Sequence, residues 1–506
     1  MPKLVFLWTD IALFLMGAGV LAYAWYARRS PNLRATWSQV ARDVPAMCAA
    51  VVLAVFAVVA LLDSVHYRPL LPPAEGAPAD APRMHAPIVR SALDAVLDFS
   101  TLQRTEKTYS APLATRQFTK ETLPGDGPPV RDFPRLRFGG AHLGENEQRH
   151  AGDVGARLAA GLAGSAAAAL LGGLVLGWAL GRRRGGWRAG LRDLCAGRSD
   201  MPWRAMWLTF AVLCLLGGAV AGLASGYHVL GTDRTGNDVL WQALKSIRTA
   251  LVIGSLTTIA MLPPALLFGI AAGYFKGRVD DVIQYLYTTL TSIPGVLLVA
   301  ACVLMMQVYI DNNPTSFPSS AERADLRLFL LCMILGLTGW AGLCRLLRAE
   351  TLKLRELEYV QAARAFGVSH WRIMARHLLP NVMHIVLITA VLEFSGLVLY
   401  EAVLSYLGIG VDPSMNSFGS MIDRARLEMS RDPMIWWNLL TAFLFMVALV
   451  LSANLFADAV RDAFDPRSRK YRILRRPPDA AGPMAASASA APAAAGSAPA
   501  TVEGRP

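Results

Sequence analysis

The sequence predicts an all-α polytopic membrane protein, and three observations carry that prediction. Of its 506 residues, 54% are apolar and only 17% are charged, whereas soluble chains carry about 25% charged residues. The apolar residues fall in nine blocks, approximately 4–27, 44–65, 156–180, 204–224, 248–273, 281–310, 328–347, 383–407 and 436–460. Most are close to the ~20 residues that a helix needs to cross a bilayer. Finally, Lys and Arg gather in alternate connections between the blocks, as cytoplasmic loops require.

The first block is long, contains Asp10, and ends in Tyr23-Ala24-Trp25-Tyr26 before Arg28 and Arg29. An aromatic belt with a basic flank marks a retained helix rather than a cleaved leader. Residues 1–65 therefore read as two spans, with Arg34 and Arg42 in the loop between them. The stretch 66–155 is rich in Pro and Gly, its acids and bases roughly cancel, and it reads as an extracytoplasmic segment of little regular structure. Residues 156–203 supply a further span and a loop holding Arg182, Arg183, Arg184, Arg188, Arg192 and Arg198. Basic residues recur after the fifth, seventh and ninth blocks. The positive-inside rule then places the N-terminus outside and the C-terminus in the cytoplasm. Residues 471–506 are rich in Ala, Pro, Ser and Gly and are expected to be disordered.

Several chemistries are excluded. No GxxxxGK[ST] phosphate loop occurs, no histidine pair has zinc spacing, and the six cysteines form no CxxC. Given where the basic residues lie, the net charge of +12 needs no nucleic-acid partner.

Within residues 351–380, the stretch from Glu358 onward reads Glu358-Tyr359-Val360-Gln361-Ala362-Ala363-Arg364-Ala365-Phe366-Gly367-Val368-Ser369-His370, continuing to Leu379-Pro380-Asn381. This predicts two short helices and a turn. Ala362 and Ala363 are small enough for close approach, Gly367 suits a positive φ, Ser369 suits an N-cap, and Pro380 suits membrane re-entry. From the residues alone, docking into a groove on another protein and lying on anionic lipid are both open.

The same segment resembles the coupling loop of bacterial ABC importer permeases, whose pattern is EAA, a following Gly, and Leu-Pro after a fixed gap. Glu358, Ala362, Ala363, Arg364, Gly367, Leu379 and Pro380 fall on it, and Gln361 stands where the Glu of the motif often is. Two other stretches are similar to the dipeptide/oligopeptide (peptide/nickel) branch of that family. One is Leu230-Gly231-Thr232-Asp233-Arg234-Thr235-Gly236-Asn237-Asp238, with Asn237 replacing the usual Arg and with Gly231, Thr232, Asp233, Gly236 and Asp238 as the outer-side signature of its second-permease type. The other is Glu401-Ala402-Val403-Leu404-Ser405-Tyr406-Leu407-Gly408.

The resemblance covers about 204–470 and implies a six-helix permease core preceded by about three extra spans, in a bacterial inner membrane. It also implies two cytoplasmic ATPases that bind ATP and Mg²⁺, a homologous second permease and an extracytoplasmic solute-binding protein. This chain itself would hold no cofactor and catalyse no reaction. Peptides are the expected cargo, with nickel or another small solute as the alternative. A secondary transporter is the reading from outside the class. Pro263-Pro264 and Pro294 are expected to kink their helices. Glu393, inside the eighth block, is expected to line the pathway or make a structural hydrogen bond, and Glu401 to act as a gate or structural residue.

Overall fold

In a computed structural model, residues 3–70, 85–86, 89–98, 100–123, 130–144, 146–182, 186–197, 201–313 and 319–464 are described. The tail 471–506 lies outside them. Among the described residues nine helical stretches are long and apolar enough to cross a membrane.

The chain opens with strand β1 (Lys3–Val5), spanning helix α1 (Trp8–Arg29) and the short helix α2 (Pro31–Val40). Helix α3 (Val44–Asp63) returns; Asp43 caps it by accepting from Ala46 N, and Pro45 lies in its first turn. Strand β2 (His66–Arg68) pairs antiparallel with β1, and β3 (Arg90–Ser91) joins β2. This ladder fixes residues 3–5 and 66–68 on one side of the membrane.

The segment that follows holds α4 (Ala92–Leu97) and a hairpin of β4 (Glu121–Leu123) with β5 (Val130–Asp132). It has more regular structure than its composition suggests. Helix α5 (His150–Gly181) starts before the expected 156 and leads into the short α6 (Trp187–Ala196) and back through α7 (Trp203–Ala224).

Helix α8 (Val239–Phe275) has 37 residues and is roughly 55 Å long at about 1.5 Å per residue, well beyond a ~30 Å hydrocarbon core. Pro263 and Pro264 sit inside it without ending it. Pro294 does more than kink its block. Helix α9 stops at Ser292 (Arg278–Ser292), Ile293 is extended, and α10 (Gly295–Asn312) starts after the proline, which cannot donate to a preceding turn. Helices α11 (Ser320–Gly339) and α12 (Ala341–Arg355) form the next crossing, α13 (Glu358–Ala365) lies between crossings, and α14 (His370–Ile373) passes through one π-turn into α15 (Leu379–Tyr406). A short α16 (Phe418–Glu428) precedes the last span, α17 (Trp437–Phe464).

Membership of the core differs from the boundary at 204. Helix α3 packs on α8 and α17, whereas α7 packs chiefly on α5 and touches α3. The six-helix core is therefore α3, α8, α10, α11–α12, α15 and α17. The three extra spans are α1, α5 and α7. The physical cause is close backbone approach: a Cβ on Gly161 would come 2.2 Å from Gly218 O, and one on Gly222 would come 2.5 Å from Arg157 O. Such contacts commit α5 and α7 to each other as a hairpin.

Candidate functional site: the inner loop and the outer clamp

The inner loop is exposed but firmly seated. Val360, Ile373, Met374 and Leu378 are buried in one cluster with Tyr274 of α8 and Leu347 of α12. Tyr274 Oη lies 2.8 Å from His370 Nδ1, Arg355 donates to Tyr274 O at 2.6 Å, and Asn381 Nδ2 donates to Tyr359 Oη at 3.0 Å. Lys276 and Glu356 pair at 2.8 Å. Beneath the loop α8 and α12 approach closely, since a Cβ on Gly273 would lie 2.6 Å from Thr351 Cβ and 2.8 Å from Arg348 O.

Gly367 has φ +69° and terminates α13, with open space where a Cβ would be. The Gly367 constraint is therefore conformational rather than steric. Glu358, Ala362 and Arg364 are exposed, Ala363 is half-buried against the inner cluster, and Leu379 and Pro380 open α15.

One expectation needs correction: Ser369 is the N-cap residue of α14 but makes no side-chain cap bond. Pro380 stands in the first turn of α15, just after the π-turn at Met374–Leu378. Between these landmarks lies what the sequence reading passed over. Phe366 is 87% exposed and Trp371 70% exposed, one on each side of Gly367. Two large apolar side chains held out from an anchored loop are a docking signal, legible in principle as aromatics within a basic stretch.

The outer signature is a clamp. Gly231 and Gly236 take φ +72° and +78°, and their missing side chains matter. A Cβ on Gly236 would come 1.9 Å from Glu106 O, and one on Gly231 would come 2.4 Å from Ser110 O. Asp233 Oδ1 accepts from Thr235 N and Asn237 N, both at 2.9 Å, and Asp233 Oδ2 accepts from Gln242 at 2.9 Å. Thr232 Oγ1 donates to Thr108 O and accepts from Ser110 N. Asp238 caps α8 by accepting from Leu240 N and Trp241 N.

Its other oxygen holds buried His228 at 2.8 Å, and Glu106 Oε1 faces the opposite ring nitrogen at 3.5 Å. Burial alone would lower the His228 pKa, but the two carboxylates outweigh it and raise it to about 9. Burial likewise works against the Glu106 carboxylate, yet His228 and the backbone N–H groups of Gly139, Phe138 and Arg137 lower its pKa to about 2. Glu106 and His228 were not singled out from the sequence, because 122 residues separate them and neither lies in a recognised motif.

Glu393 is exposed on α15, and no hydrogen bond or ion pair to it is present among the described residues. Next to it on that face Gly396 meets open space, and further along Tyr400 Oη comes within 3.6 Å of a Cβ on Gly295, beside Pro294. Glu401 sits elsewhere: it is fully buried and accepts from Ser405 Oγ at 2.6 Å, where α15 meets α16.

Residues 265–470 match the sequence profile of the inner membrane component of binding-protein-dependent transport systems. The oligopeptide transport system permease protein OppC of Haemophilus influenzae is 30% identical over 251 residues, covering 50% of this chain and 74% of that protein. The chain belongs to this permease family. OppC of Mycobacterium tuberculosis is 32% identical over 245 residues, 48% of this chain and 78% of that protein. The peptidoglycan transport system permease protein YejE of Agrobacterium fabrum is 36% identical over 241 residues, 47% of this chain and 57% of that protein. The chain is thus a multi-pass inner-membrane permease. The profile match starts within α8, so it takes in the inner loop and leaves out the outer clamp and the α5–α7 hairpin.

Proposed function

We propose that this permease is one of two homologous subunits forming the pathway of a peptide importer, powered by two cytoplasmic ATPases that hold ATP and Mg²⁺. A soluble binding protein would deliver peptide from outside, and the chain itself would catalyse no reaction. The peptide assignment follows the relatives, which are named for oligopeptide, dipeptide and peptidoglycan transport. The N-terminus is outside and the C-terminus inside, in keeping with the basic loops.

The observation that carries the coupling role is the pair Phe366 and Trp371, held out around Gly367 on a loop whose underside is fixed to α8 and α12. Closure of the ATPases would push this loop and tilt the helices between inward-open and outward-open states. The exposed face of α15 that carries Glu393 is the surface proposed to line the pathway, with Pro294 alongside. Glu401, being buried, has a packing role.

The test is Gly367→Asp. A side chain at positive φ costs roughly 1–2 kcal/mol, and the charge would sit between the two docking aromatics. The variant should reach the membrane at wild-type level, lose the ATPase from co-purification and abolish uptake. The triple change Arg364→Gln, Arg372→Gln, Arg376→Gln should retain ATPase. If Gly367→Asp transports normally and only the triple variant fails, the loop is a lipid anchor and the coupling assignment is wrong.

A further inference from the structure

The turn of the α5–α7 hairpin serves neither the inner loop nor the outer clamp. Residues 182–204 hold seven arginines, no lysine and two aspartates. Helix α7 crosses from this turn to the outer clamp, and α8 crosses back from the clamp to Tyr274 beneath the inner loop. The turn and the inner loop therefore share one face of the membrane. Arg182, Arg188, Arg192 and Arg204 are exposed, and none of the four pairs with a carboxylate among the described residues. Orientation in the bilayer asks only for positive charge, which lysine supplies equally well. An all-arginine set supplies something more, the planar fork that meets a phosphate through two hydrogen bonds.

These arginines stand on a fixed frame. Helix α6 folds back onto the last turns of α5 through glycines: a Cβ on Gly190 would lie 2.6 Å from Gly181 N, and one on Gly181 would lie 2.5 Å from Gly186 O. Leu191 lies against Gly177, and Leu194 is buried. With that side of α6 committed to α5, Arg188 and Arg192, one turn apart, share a side that is left open. Trp178 and Trp187 are 49% and 52% exposed. The Arg182 guanidinium lies 3.8 Å from the centroid of the Trp178 ring, and that of Arg188 lies 5.4 Å from the centroid of Trp187. Tryptophan beside arginine at the end of a span suits the boundary between headgroups and acyl chains. From that boundary inward, Leu170, Leu171, Leu174 and Val175 of α5 are also exposed, an apolar surface continuous with the basic one.

We propose that this elbow binds the phosphodiester headgroup of an anionic phospholipid, with Arg182, Arg188 and Arg192 as donors and Trp178 and Trp187 seating the top of the acyl chains. An acidic protein segment would meet the same arginines but has nothing to lay along the leucines below them, whereas a phospholipid supplies anion and chain together. The site rests on neither the peptide reading nor the ATPase coupling. It gives the hairpin a purpose, as a lipid-held flank beside the core helix α3.

The test offers the purified full-length chain, in detergent, equal amounts of phosphatidylglycerol and phosphatidylcholine and counts the lipids it retains by native mass spectrometry. Wild type should favour phosphatidylglycerol by about fivefold or more, equivalent to about 1 kcal/mol. Arg182→Gln, Arg188→Gln and Arg192→Gln together should bring the two lipids to parity, with phosphatidylcholine retention and melting temperature unchanged, since these side chains are exposed. The inner-loop triple Arg364→Gln, Arg372→Gln, Arg376→Gln removes the same charge from the same face and should keep the preference. No preference in wild type overturns the proposal, as does an equal fall in both triple variants, which would make total charge the cause. Water-soluble glycerophosphoglycerol should not displace the lipid at equal concentration; if it does, the elbow is a site for soluble phosphates. If the elbow variant keeps its lipid preference but loses the ATPase from co-purification, the elbow is a protein contact and the lipid assignment is wrong.

Discussion

His228 shows how a single side chain can hold an external segment to a membrane helix. It belongs to the connection before α8, yet it is gripped by Asp238 of the helix cap and faced by Glu106 of the distant segment. The pH dependence follows from the two shifts. His228 is raised from 6.5 to about 9, so its contribution is complete below 6.5 and is lost as pH climbs through 9. Glu106 is lowered from 4.5 to about 2, so its contribution is complete above 4.5 and is lost as pH falls toward 2. The clamp should be tightest between these limits. Raising pH from 6.5 to 9 should remove on the order of 3 kcal/mol. The melting temperature of the purified wild type should fall over that range, and that of His228→Gln should fall much less. Parallel curves for the two proteins would show that His228 is not the titrating group.

At the level of elements, the two glycine-mediated contacts should respond differently to crowding. Gly269→Leu forces α8 from α12, since a Cβ there already lies 2.7 Å from Leu347 Cβ. Gly218→Leu forces α7 from α5, where a Cβ lies 2.3 Å from Ser165 Cβ. Overpacking costs about 1–3 kcal/mol in either place. Only Gly269→Leu disturbs the platform under the inner loop, so it should lose ATPase co-purification while Gly218→Leu keeps it. Loss in both would place the hairpin within the coupling machinery.

These elements also show what the sequence discloses. All nine spans are legible, because hydrocarbon demands an unbroken apolar run. The turn at Gly367 is legible from its neighbours. The break at Pro294 is half legible, since proline announces a disturbance but not its size. That α3 rather than α7 joins the core is not legible from hydropathy, because lipid-facing and helix-facing apolar residues look alike. The family resemblance gives the hint that hydropathy lacks: one helix and an external segment normally precede the Gly-Thr-Asp signature, so the second block and residues 66–155 look like that start and the two helices flanking Arg182 look inserted. The Asp10–Arg248–Asp325 cluster joins residues up to 315 positions apart, and only folding brings them together.

For the whole molecule, the β1–β2 ladder ties the chain's start to the segment after α3, so these two points share a side whichever side that is. With single cysteines introduced into a background lacking the native six, a membrane-impermeant maleimide should label Thr105→Cys on intact spheroplasts. It should reach Arg364→Cys only after lysis, and the reverse order would invert the topology. The same scale gives α8 its importance. One end is capped by Asp238 inside the outer clamp, and the other carries Tyr274 beneath the inner loop. Lys245 and Arg248 stand along its outer stretch, paired with Asp63 and Asp94 and with Asp10 and Asp325. A rod fastened at both ends behaves as an axle. Any tilt imposed at Tyr274 would arrive at the outer clamp in the same movement, so a stroke at the inner loop would also shift the external segment that Asp238 and His228 hold. The two faces of the membrane would then be kept in step through one helix, with no relay of side chains to slip.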